Sequence, residues 1–382
     1  MSTPTVTVAG THGAGGADAL PYERRIARAR EEMARRGVDA LVASVGHDLP
    51  YLVGYHAMPL ERLTALVVPR EGEAVLVVPR LEAARVVPRD GVFALRPWTE
   101  TQDPVGIVAG LLRGARTVAI GDETWARFLV DLLARIEGVR WVRGVDVVGP
   151  LRIAKDATEV AALRRAGAAA DRVAVALRAG EIPLLGRSEA QVAAEISARL
   201  LAEGHDTVNF AIVASGPHAA SPHHEPASRT IARGDIVLCD FGGTLAGYCS
   251  DITRCVHVGE PTPEVHEAWG VLRRAQQAGV EAARVGAACE SVDAAARRVI
   301  ADAGWGEHFI HRVGHGIGMA AHEDPYMVEG NATPIVAGHA FSVEPGIYVE
   351  GRWGMRLEDI VVATDAGPER MNHVDRDLAV IG

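Results

Sequence analysis

The sequence predicts an α/β (α+β) protein of two domains, in which the second domain consists of two related halves. Three observations carry this prediction. The chain has 382 residues, which is more than a single hydrophobic core usually accommodates. Short apolar runs alternate with helical patterns in the first part, whereas long Ala-, Arg- and Glu-rich helices begin near residue 150. The second part then repeats one order, in which a pair of helices leads into strands with glycine-bearing turns.

We predict a loose tail at 1–20, an N-terminal α/β domain at 21–150 and a C-terminal domain at 151–382. The tail is rich in Gly, Ala and Thr and lacks the basic and apolar segments of a secretory signal. In the N-terminal domain, apolar runs predict strands and amphipathic segments closed by glycine predict helices. The strands are expected at 40–44, 64–69, 74–79 and 117–121, and the helices at 22–37 and 124–138.

Composition and charge exclude several classes of partner. The net charge is −10 and there is no basic block, which argues against binding to nucleic acid or to an anionic membrane. No apolar stretch reaches the roughly 20 residues needed to span a bilayer. The four cysteines show no CxxC spacing and no disulfide density. We therefore predict a cytoplasmic protein with no nucleic-acid and no membrane partner.

The two halves of the C-terminal domain resemble each other in the order of their elements. Four long helices are expected, at 157–178, 188–203, 263–284 and 290–303. The segment 233–242 aligns with 337–346, and in both a glycine precedes a carboxylate by six residues. Two such units related by a pseudo-twofold axis would bring these carboxylates, Asp240 and Glu344, to a shared centre.

Carboxylates interrupt strands in both halves. Asp240 follows the apolar run 236–239, and a buried carboxylate is costly unless it has a partner charge, hydrogen-bond donors or a metal. Asp251 and Glu358 are the second acids, each reached across a segment expected to be a hairpin. We expect Asp240 and Asp251 to lie roughly opposite one another. Opposed like charges destabilise a sheet, and a bound cation would remove this repulsion.

Three histidines accompany the carboxylates in a glycine-rich segment that favours a strand or loop: His311, His315 and His322. A lone histidine is more often a hydrogen-bonded core residue than a ligand, but three of them beside two acidic hairpins favour a site. A second group lies in a loop rich in Pro and Ser: His218, His223 and His224. For His218 and His224 we prefer the interpretation of solvated surface residues. Cys249 and Cys255 are interpreted as small buried apolar residues, not as thiolate ligands.

The ordered set of candidate ligands resembles the five-ligand signature of the pita-bread metallopeptidases, which include methionine aminopeptidase, aminopeptidase P and prolidase. The set consists of Asp240, Asp251, His315, Glu344 and Glu358. The flanking stretches "DFGGTLAGYCSDITR", "HRVGHGIG", "VEPGIYV" and "MRLEDIVV" are similar to the proline-specific branch. The N-terminal domain resembles the creatinase-type domain of that branch, so the resemblance covers 22–382. It implies a pita-bread fold with duplicated halves for 151–382.

The resemblance implies a role for each candidate ligand. Asp240 would bind one metal, His315 and Glu344 would bind the second, and Asp251 and Glu358 would bridge both. A set of oxygen ligands with one imidazole suits Mn²⁺ first, with Co²⁺, Fe²⁺ or Zn²⁺ as alternatives. Two divalent ions per chain are expected, sharing a hydroxide whose pKa they lower.

The remaining roles implied by the resemblance concern the substrate. Glu344 would carry a proton to the leaving nitrogen. His223 and His322 match non-ligand histidines that would donate hydrogen bonds to the substrate carbonyl and the tetrahedral intermediate. His311 and Arg356 match supporting or substrate-side positions, and Arg356 would either contact substrate or pair with a ligand carboxylate.

The implied enzyme is an Xaa-Pro dipeptidase or aminopeptidase, acting on small peptides with proline in the second position. Prolidases often carry an arginine between the outer histidine and the first glutamate, where it holds a dipeptide's carboxylate, but 323–343 contains no Arg or Lys. Either another arginine does this, or longer peptides are accepted. Two alternatives are a creatinase-like hydrolase of a small non-peptide amide and a catalytically silent binding module. Relatives of both kinds usually lose ligands, whereas all five stand here. The resemblance also implies a homodimer with 46–56 near a catalytic cleft.

Overall fold

The computed structural model describes residues 22–382, and the tail predicted at 1–20 lies outside the described residues. The described chain divides into two compact units, 22–152 and 153–382. None of the helices between residues 22 and 382 combines the length and the apolar composition that crossing a membrane requires.

The unit at 22–152 contains a six-stranded sheet with helices between its strands. In chain order its elements are α1 (Tyr22–Arg36), β1 (Ala40–Ala43), α2 (Asp48–Val53), β2 (Ala65–Pro69), β3 (Val75–Pro79), β4 (Ala94–Trp98), α3 (Pro104–Leu111), β5 (Thr117–Ile120), α4 (Ala126–Leu133), β6 (Arg140–Arg143) and α5 (Val145–Ile153). The sheet order is β4-β3-β2-β1-β5-β6, with β2 antiparallel to both of its neighbours. The four predicted strands are β1, β2, β3 and β5, and the two predicted helices are α1 and α4. The edge strands β4 and β6 were not predicted, and both carry exposed arginines that interrupt the apolar pattern.

The unit at 153–382 carries two helix pairs and two larger sheets. Its helices are α6 (Ala157–Arg178), α7 (Glu189–Ala202), α8 (Pro263–Ala282) and α9 (Cys289–Asp302). Its strands are β7 (Thr207–Ser215), β8 (Ile236–Leu245), β9 (Tyr248–Cys249), β10 (Ile252–Val258), β11 (Gly314–Gly316), β12 (Glu323–Met327), β13 (Ala340–Val343), β14 (Gly346–Val349), β15 (Trp353–Arg356), β16 (Asp359–Thr364), β17 (Gly367–Arg370) and β18 (Ala379–Ile381). All four predicted long helices are present within two residues of their expected bounds.

Capping residues explain where these long helices begin. Asp156 accepts hydrogen bonds from the first backbone N–H groups of α6, and the side chain of Glu159 bonds back to the Asp156 N–H. Ser188 and Gln191 form the same reciprocal pair at the start of α7. The second half does not repeat these capping pairs, because α8 begins with Thr262 followed by a proline and α9 has no side-chain cap.

Each of the two helix pairs packs with one of the two larger sheets, in the order that the repeated sequence pattern predicts. One sheet has the order β18-β10-β8-β7, with β9 also paired to β8, and the other has the order β12-β11-β13-β16-β17. Helices α6 and α7 share a hydrophobic core with one face of β8 and β10. Helices α8 and α9 share a core with β13 and β16, and that core also takes residues from the other face of β8.

The alternation of side chains along β8 places Asp240. Val237, Cys239 and Phe241 pack with α6 and α7, whereas Ile236 and Leu238 belong to the core of α8 and α9. Because successive strand residues point to opposite faces, Asp240 lies on the Ile236 and Leu238 face. This face looks toward the second half of the unit, where the other candidate ligands are found.

Candidate active site

All nine residues predicted for the site line one cavity of about 630 Å³ in the unit at 153–382: His223, Asp240, Asp251, His311, His315, His322, Glu344, Arg356 and Glu358. Its volume falls in the range of pockets that bury small ligands. Phe210, Ile212, Pro222, Arg312 and Val328 complete the lining. The cavity therefore combines a dense group of charges with a few apolar walls.

The first pair of acids comes from β8 and the residue before β10. Asp240 pairs across the ladder with Thr253, not with Asp251, so the expected opposition of the two aspartates is wrong by two residues. The two-residue turn at Ala246 and Gly247, both with positive φ, sets this register. A shift of two residues keeps the same face, so Asp240 and Asp251 still share one side of the hairpin.

The second pair of acids, Glu344 and Glu358, lies between the β13–β16 pairing and the β14–β15 pairing, which share the same register. Val343 pairs with Asp359, and Gly346 pairs with Arg356, so Glu344 and Glu358 fall opposite each other at the intervening position. The backbone C=O of Glu358 accepts a hydrogen bond of 2.6 Å from Nη1 of Arg254, whose side chain is fully buried. The strand positions of both glutamates are therefore held by the sheet and by a buried arginine.

Three of the acids have one oxygen without a hydrogen-bond partner among the described residues. These buried atoms are Oδ1 of Asp240, Oδ1 of Asp251 and Oε1 of Glu358. The other oxygen of Asp240 binds Nη2 of Arg356, and Oε2 of Glu358 accepts a 2.6 Å hydrogen bond from Oγ1 of Thr253. A buried carboxylate oxygen with no donor is costly, and a cation is the partner that would satisfy three such atoms together.

His315 presents an unprotonated nitrogen to these acids. Its Nδ1 lies 3.1 Å from the carbonyl oxygen of Gly316, which assigns the proton to Nδ1 and leaves Nε2 as an acceptor. Burial lowers the pKa of His315 to about 4, so the ring is neutral near pH 7. Nε2 nevertheless lies 3.4 Å from Oε1 of Glu344 and 3.7 Å from Oδ2 of Asp251. A lone pair that faces carboxylates is the arrangement of a metal ligand.

The residues present therefore fit a metal centre. Donor atoms of Asp251, His315 and Glu358 lie within 4.8 Å of one another, and all three residues are buried. Burial and the repulsion of the neighbouring carboxylates raise the pKa of both Asp251 and Glu358 well above the usual range. A divalent ion would reverse this effect, because an opposite charge at contact distance favours the ionised form.

These raised pKa values predict an unusual pH dependence for metal-stripped protein. The folded state binds protons more tightly than the unfolded chain at both carboxyls, so the free energy of unfolding should fall as pH rises above their ordinary pKa values of 3.8 and 4.5. Urea unfolding of chelator-treated protein between about pH 5 and 8 measures this slope. Glu358→Gln, which carries no charge at any pH, should flatten it. If the free energy of unfolding of the stripped wild type instead rises with pH, as much as that of Glu358→Gln does, then the raised pKa values of these carboxyls are contradicted.

Arg356 starts a hydrogen-bonded chain that leads away from the acids. Its guanidinium is buried, pairs with Asp240 and donates a 2.8 Å hydrogen bond to the hydroxyl of Tyr348. That hydroxyl donates in turn to Nε2 of His311 at 3.0 Å, because Nδ1 of His311 donates to the carbonyl of Arg312. Of the two roles considered for Arg356, the geometry places it against a carboxylate. His311 lies at the end of this series of hydrogen bonds, farthest from Asp240.

His322 and His223 have free side chains on the cavity wall. The ring of His322 stacks on His315 with centroids 3.8 Å apart, and neither His322 nor His223 forms a hydrogen bond with another described residue. Removal from water, with the nearby His315, lowers the pKa of His322 to about 4. Its neutral ring therefore offers one N–H donor to a ligand in the cavity.

A second acid and histidine group supports the segment that carries His223. Glu189 is fully buried and accepts hydrogen bonds from His218, His224, Ser215 and the backbone of Ala227. The interpretation as solvated surface residues is wrong for His224, whose side chain is 17% exposed, whereas His218 remains 39% exposed while it bonds Glu189. Both oxygens of Glu189 are satisfied, which distinguishes this group from the acids of the cavity.

None of the four cysteines forms a disulfide among the described residues, and Cys249 and Cys255 are buried, as interpreted from the sequence. Burial raises the pKa of the Cys255 thiol to about 12, so it is not a thiolate near neutral pH. Cys249 contacts the amide of Asn209 and the carbonyl of Met319. The two residues pack as small side chains beside the acids.

Sequence reasoning missed four residues that hold the site: Thr253, Arg254, Ser342 and Tyr348. Thr253 lies two residues after Asp251 and Ser342 lies two residues before Glu344, so both share a strand face with a candidate ligand. That period of two was a usable signal. Arg254 bonds Glu358 over 104 residues of sequence and Tyr348 bonds His311 over 37, so neither contact gave a local signal.

Each of the two units matches a known protein family. Residues 161–365 match metallopeptidase family M24, and residues 25–153 match the creatinase/prolidase N-terminal domain. The predicted fold class, a creatinase-type domain followed by a pita-bread metallopeptidase domain, is confirmed.

Individual proteins are similar over almost the whole chain. A probable dipeptidase PepE from Mycobacterium tuberculosis is 46% identical over 95% of this chain and 98% of its own length. An Xaa-Pro dipeptidase from Lactobacillus helveticus is 35% identical over 87% of this chain and 92% of its own. The crystal structure of dipeptidase PepE from Mycobacterium ulcerans superposes with a TM-score of 0.89 at 47% identity, covering 96% of this chain and 100% of that one.

Proposed function

The chain belongs to metallopeptidase family M24, and from this premise we propose that it hydrolyses the peptide bond that precedes proline in small Xaa-Pro peptides. The observation that carries the proposal is the set of three buried carboxylate oxygens without donors, on Asp240, Asp251 and Glu358, in the cavity where the bare Nε2 of His315 also faces carboxylates. The substrate class is supported by relatives named Xaa-Pro dipeptidase and dipeptidase PepE. We propose residues 151–382 as the catalytic domain and 21–150 as the N-terminal domain.

Five side chains would hold two divalent ions: Asp240, Asp251, His315, Glu344 and Glu358. Asp251 and Glu358 would be shared between the ions. When bound, such ions polarise a carbonyl and make water a stronger nucleophile. Four carboxylates carry four negative charges, which two divalent ions balance, and the oxygen-rich set leads us to propose Mn²⁺ as the resident ion.

Glu344 is the proposed proton carrier. Its Oε1 accepts a 3.0 Å hydrogen bond from Oγ of Ser342, and its side chain is less buried than those of Asp251 and Glu358. It therefore reaches both the acids and the open part of the cavity. Proline nitrogen has no N–H in the peptide and must gain a proton to leave, and Glu344 would transfer the proton taken from the attacking water.

His322 and His223 would stabilise charge on the substrate. A carbonyl oxygen becomes an oxyanion as water adds to the peptide carbon, and a neutral histidine N–H is a suitable donor to it. The segment that carries His223 is fixed through Glu189, so this donor is held in place before substrate arrives. Arg356, Tyr348 and His311 are positioning residues, because they act through Asp240.

A substrate panel tests the proposed function. Metal-loaded protein should hydrolyse Ala-Pro and other Xaa-Pro peptides and should leave Ala-Ala and small guanidino or amide compounds largely intact. Ala-Ala is the matched control, since it differs only in the proline. Preferential hydrolysis of a non-peptide amide would instead support a creatinase-like activity. The absence of any hydrolysis by protein with bound metal would support a silent binding module.

We also propose a homodimer located in the cytoplasm. Exposed Met58 and Leu60 directly follow 46–56, the segment expected near a catalytic cleft, and they support an interface at this part of the N-terminal domain. The four buried cysteines form no disulfide among the described residues, which supports a reducing compartment.

Sedimentation measures the assembly. At micromolar concentration we expect a species of twice the chain mass of 40.4 kDa. Replacing Met58 and Leu60 together with aspartate should shift the protein toward monomer, because charges at an apolar contact are costly. A wild type that sediments as a monomer over the same concentrations would contradict the proposal.

A further inference from the structure

A second group of metal-binding side-chain types lies outside the catalytic cavity. Donor atoms of Glu189, His218 and His224 lie within 4.8 Å of one another, and none of the three residues lines the cavity of the acids. Glu189 begins α7, whereas both histidines come from the segment that follows β7. Packing therefore brings together a buried carboxylate and two imidazoles that the proposed two-metal centre does not use.

Five donor groups share the two oxygens of Glu189. The backbone N–H and the hydroxyl of Ser215 bond Oε1 at 2.8 and 2.7 Å, and the Ala227 N–H bonds Oε2 at 3.1 Å. Nδ1 of His218 lies 3.1 Å from both oxygens, and Nε2 of His224 lies 2.8 Å from Oε2. An ionised carboxylate offers about four acceptor positions. One cation in place of the two histidine N–H groups would leave three hydrogen bonds and one metal bond, which matches this capacity.

The atoms that face Glu189 are close to the spacing of a metal site. In a tetrahedral zinc site the bonds are about 2.0–2.1 Å long, so neighbouring ligand atoms lie about 3.3 Å apart. The N–O distances here are 3.1 Å for His218 and 2.8 Å for His224, so each needs to lengthen by about 0.5 Å or less. The opposite ring nitrogens form no hydrogen bond with another described residue. Each ring can therefore carry its proton there and face the ion with a lone pair.

The charge and the accessibility of this group also suit a cation. Burial of the Glu189 side chain raises the pKa of its carboxyl, but hydrogen bonds from Ser215 and both histidines lower that pKa below its ordinary value, so the group is ionised near pH 7. Arg229 donates a 2.6 Å hydrogen bond to the Ser215 hydroxyl and is paired with Asp235 at 2.7 Å, so its positive charge is balanced. The His218 side chain is 39% exposed, which gives an ion access from solvent and a position for a water ligand.

We propose that Glu189, His218 and His224 form a zinc site that is separate from the two-metal centre. Two imidazoles and one carboxylate suit Zn²⁺ better than the Mn²⁺ proposed for the oxygen-rich set of acids. His223 lies between the two histidines in sequence, so a bound ion would fix the segment that supplies this cavity residue. Zinc binding at this site is independent of the Xaa-Pro activity.

Zinc titration of manganese-loaded protein tests this site. Wild type, His218→Gln, the double variant His218→Gln/His224→Gln and the control His266→Gln are saturated with Mn²⁺, freed of excess metal and titrated with Zn²⁺ by calorimetry. Glutamine keeps an N–H donor for Glu189 but is not a usual zinc ligand, and His266 is exposed on α8. Elemental analysis then counts zinc and manganese per chain in each protein, and thermal unfolding is followed with and without Zn²⁺.

We expect wild type and His266→Gln to hold one metal ion per chain more than the double variant, counting zinc and manganese together, so that any exchange of ions among the acids does not affect the comparison. Zinc should raise the Tm of these two proteins more than that of the double variant, because an ion that binds only the folded state stabilises it. Loss of two of the three protein ligands should weaken binding of this ion by more than about 100-fold. His218→Gln alone changes the more exposed ligand, should weaken binding by at least about 10-fold, and serves as the test if the double variant does not fold.

Two results would overturn the inference. One is an equal metal count in wild type and the double variant at saturating zinc. The other is an additional zinc ion that His218→Gln binds as tightly as wild type does, because the ligands of that ion would then lie elsewhere. Both results leave the proposed Xaa-Pro activity intact, since the substrate panel tests that activity separately.

Discussion

Glu358→Ala is expected to lose bound metal and, with it, all measurable peptidase activity. Glu358 is almost completely buried, and its Oε2 is held by Thr253 while Oε1 has no partner among the described residues. It is one of two carboxylates proposed to be shared between the ions. Changes to residues that only support metal ligands already cost about 10- to 100-fold in metal affinity, so loss of a shared ligand should exceed about 100-fold.

The same substitution should also lower stability when metal is present in excess. Removing Glu358 leaves Asp240, Asp251 and Glu344 close together with fewer cations to balance them. Glu350→Ala provides the matched control, because Glu350 is exposed at the turn between β14 and β15. Metal content by elemental analysis and Tm with and without Mn²⁺ are the measurements. A Glu358→Ala protein that keeps both ions at wild-type affinity would show that this residue is not a ligand.

His322→Ala is expected to keep both metals and the fold but to lower kcat by about 10²–10³-fold. The ring of His322 stacks on His315 and forms no hydrogen bond with a described residue, so its removal leaves the acids in place. Losing one positioned donor to an oxyanion typically costs roughly 3–4 kcal/mol of transition-state stabilisation. The loss should appear in kcat more than in KM, because the bond strengthens as charge develops on the carbonyl oxygen.

His266→Ala serves as the control for His322→Ala, since His266 is exposed on α8. Steady-state kinetics on Ala-Pro and metal analysis separate the outcomes. If His322→Ala loses a metal ion, then His322 is a ligand and its assignment as a donor fails. If kcat stays near that of wild type, His322 has only a structural role beside His315.

Local sequence patterns were sufficient to predict the strands and turns that carry the acids of the site. The apolar run before Asp240 indicated a strand, and the glycines of both hairpins indicated turns. The register was not obtained, although the Ala246–Gly247 turn determines it and could have shown that Asp240 pairs with Thr253.

Contacts between distant segments could not be predicted in this way. Arg254 reaches the backbone of Glu358 over 104 residues of sequence, and Glu189 reaches His224 over 35. Both contacts follow from packing of helices and sheets, which no local period records. The interpretation of His224 as a surface residue fails for this reason, because its Nε2 lies 2.8 Å from Oε2 of the buried Glu189.

The central claim is that the buried acids and His315 form a two-metal centre on which the activity depends. The most direct test is to strip the purified protein with a chelator, verify the metal content by elemental analysis, and titrate Mn²⁺ back while following binding by calorimetry and hydrolysis of Ala-Pro. The account predicts no hydrolysis by the stripped protein, binding of two ions per chain and recovery of activity as they bind. Full hydrolysis of Ala-Pro by protein verified to be free of metal would contradict it.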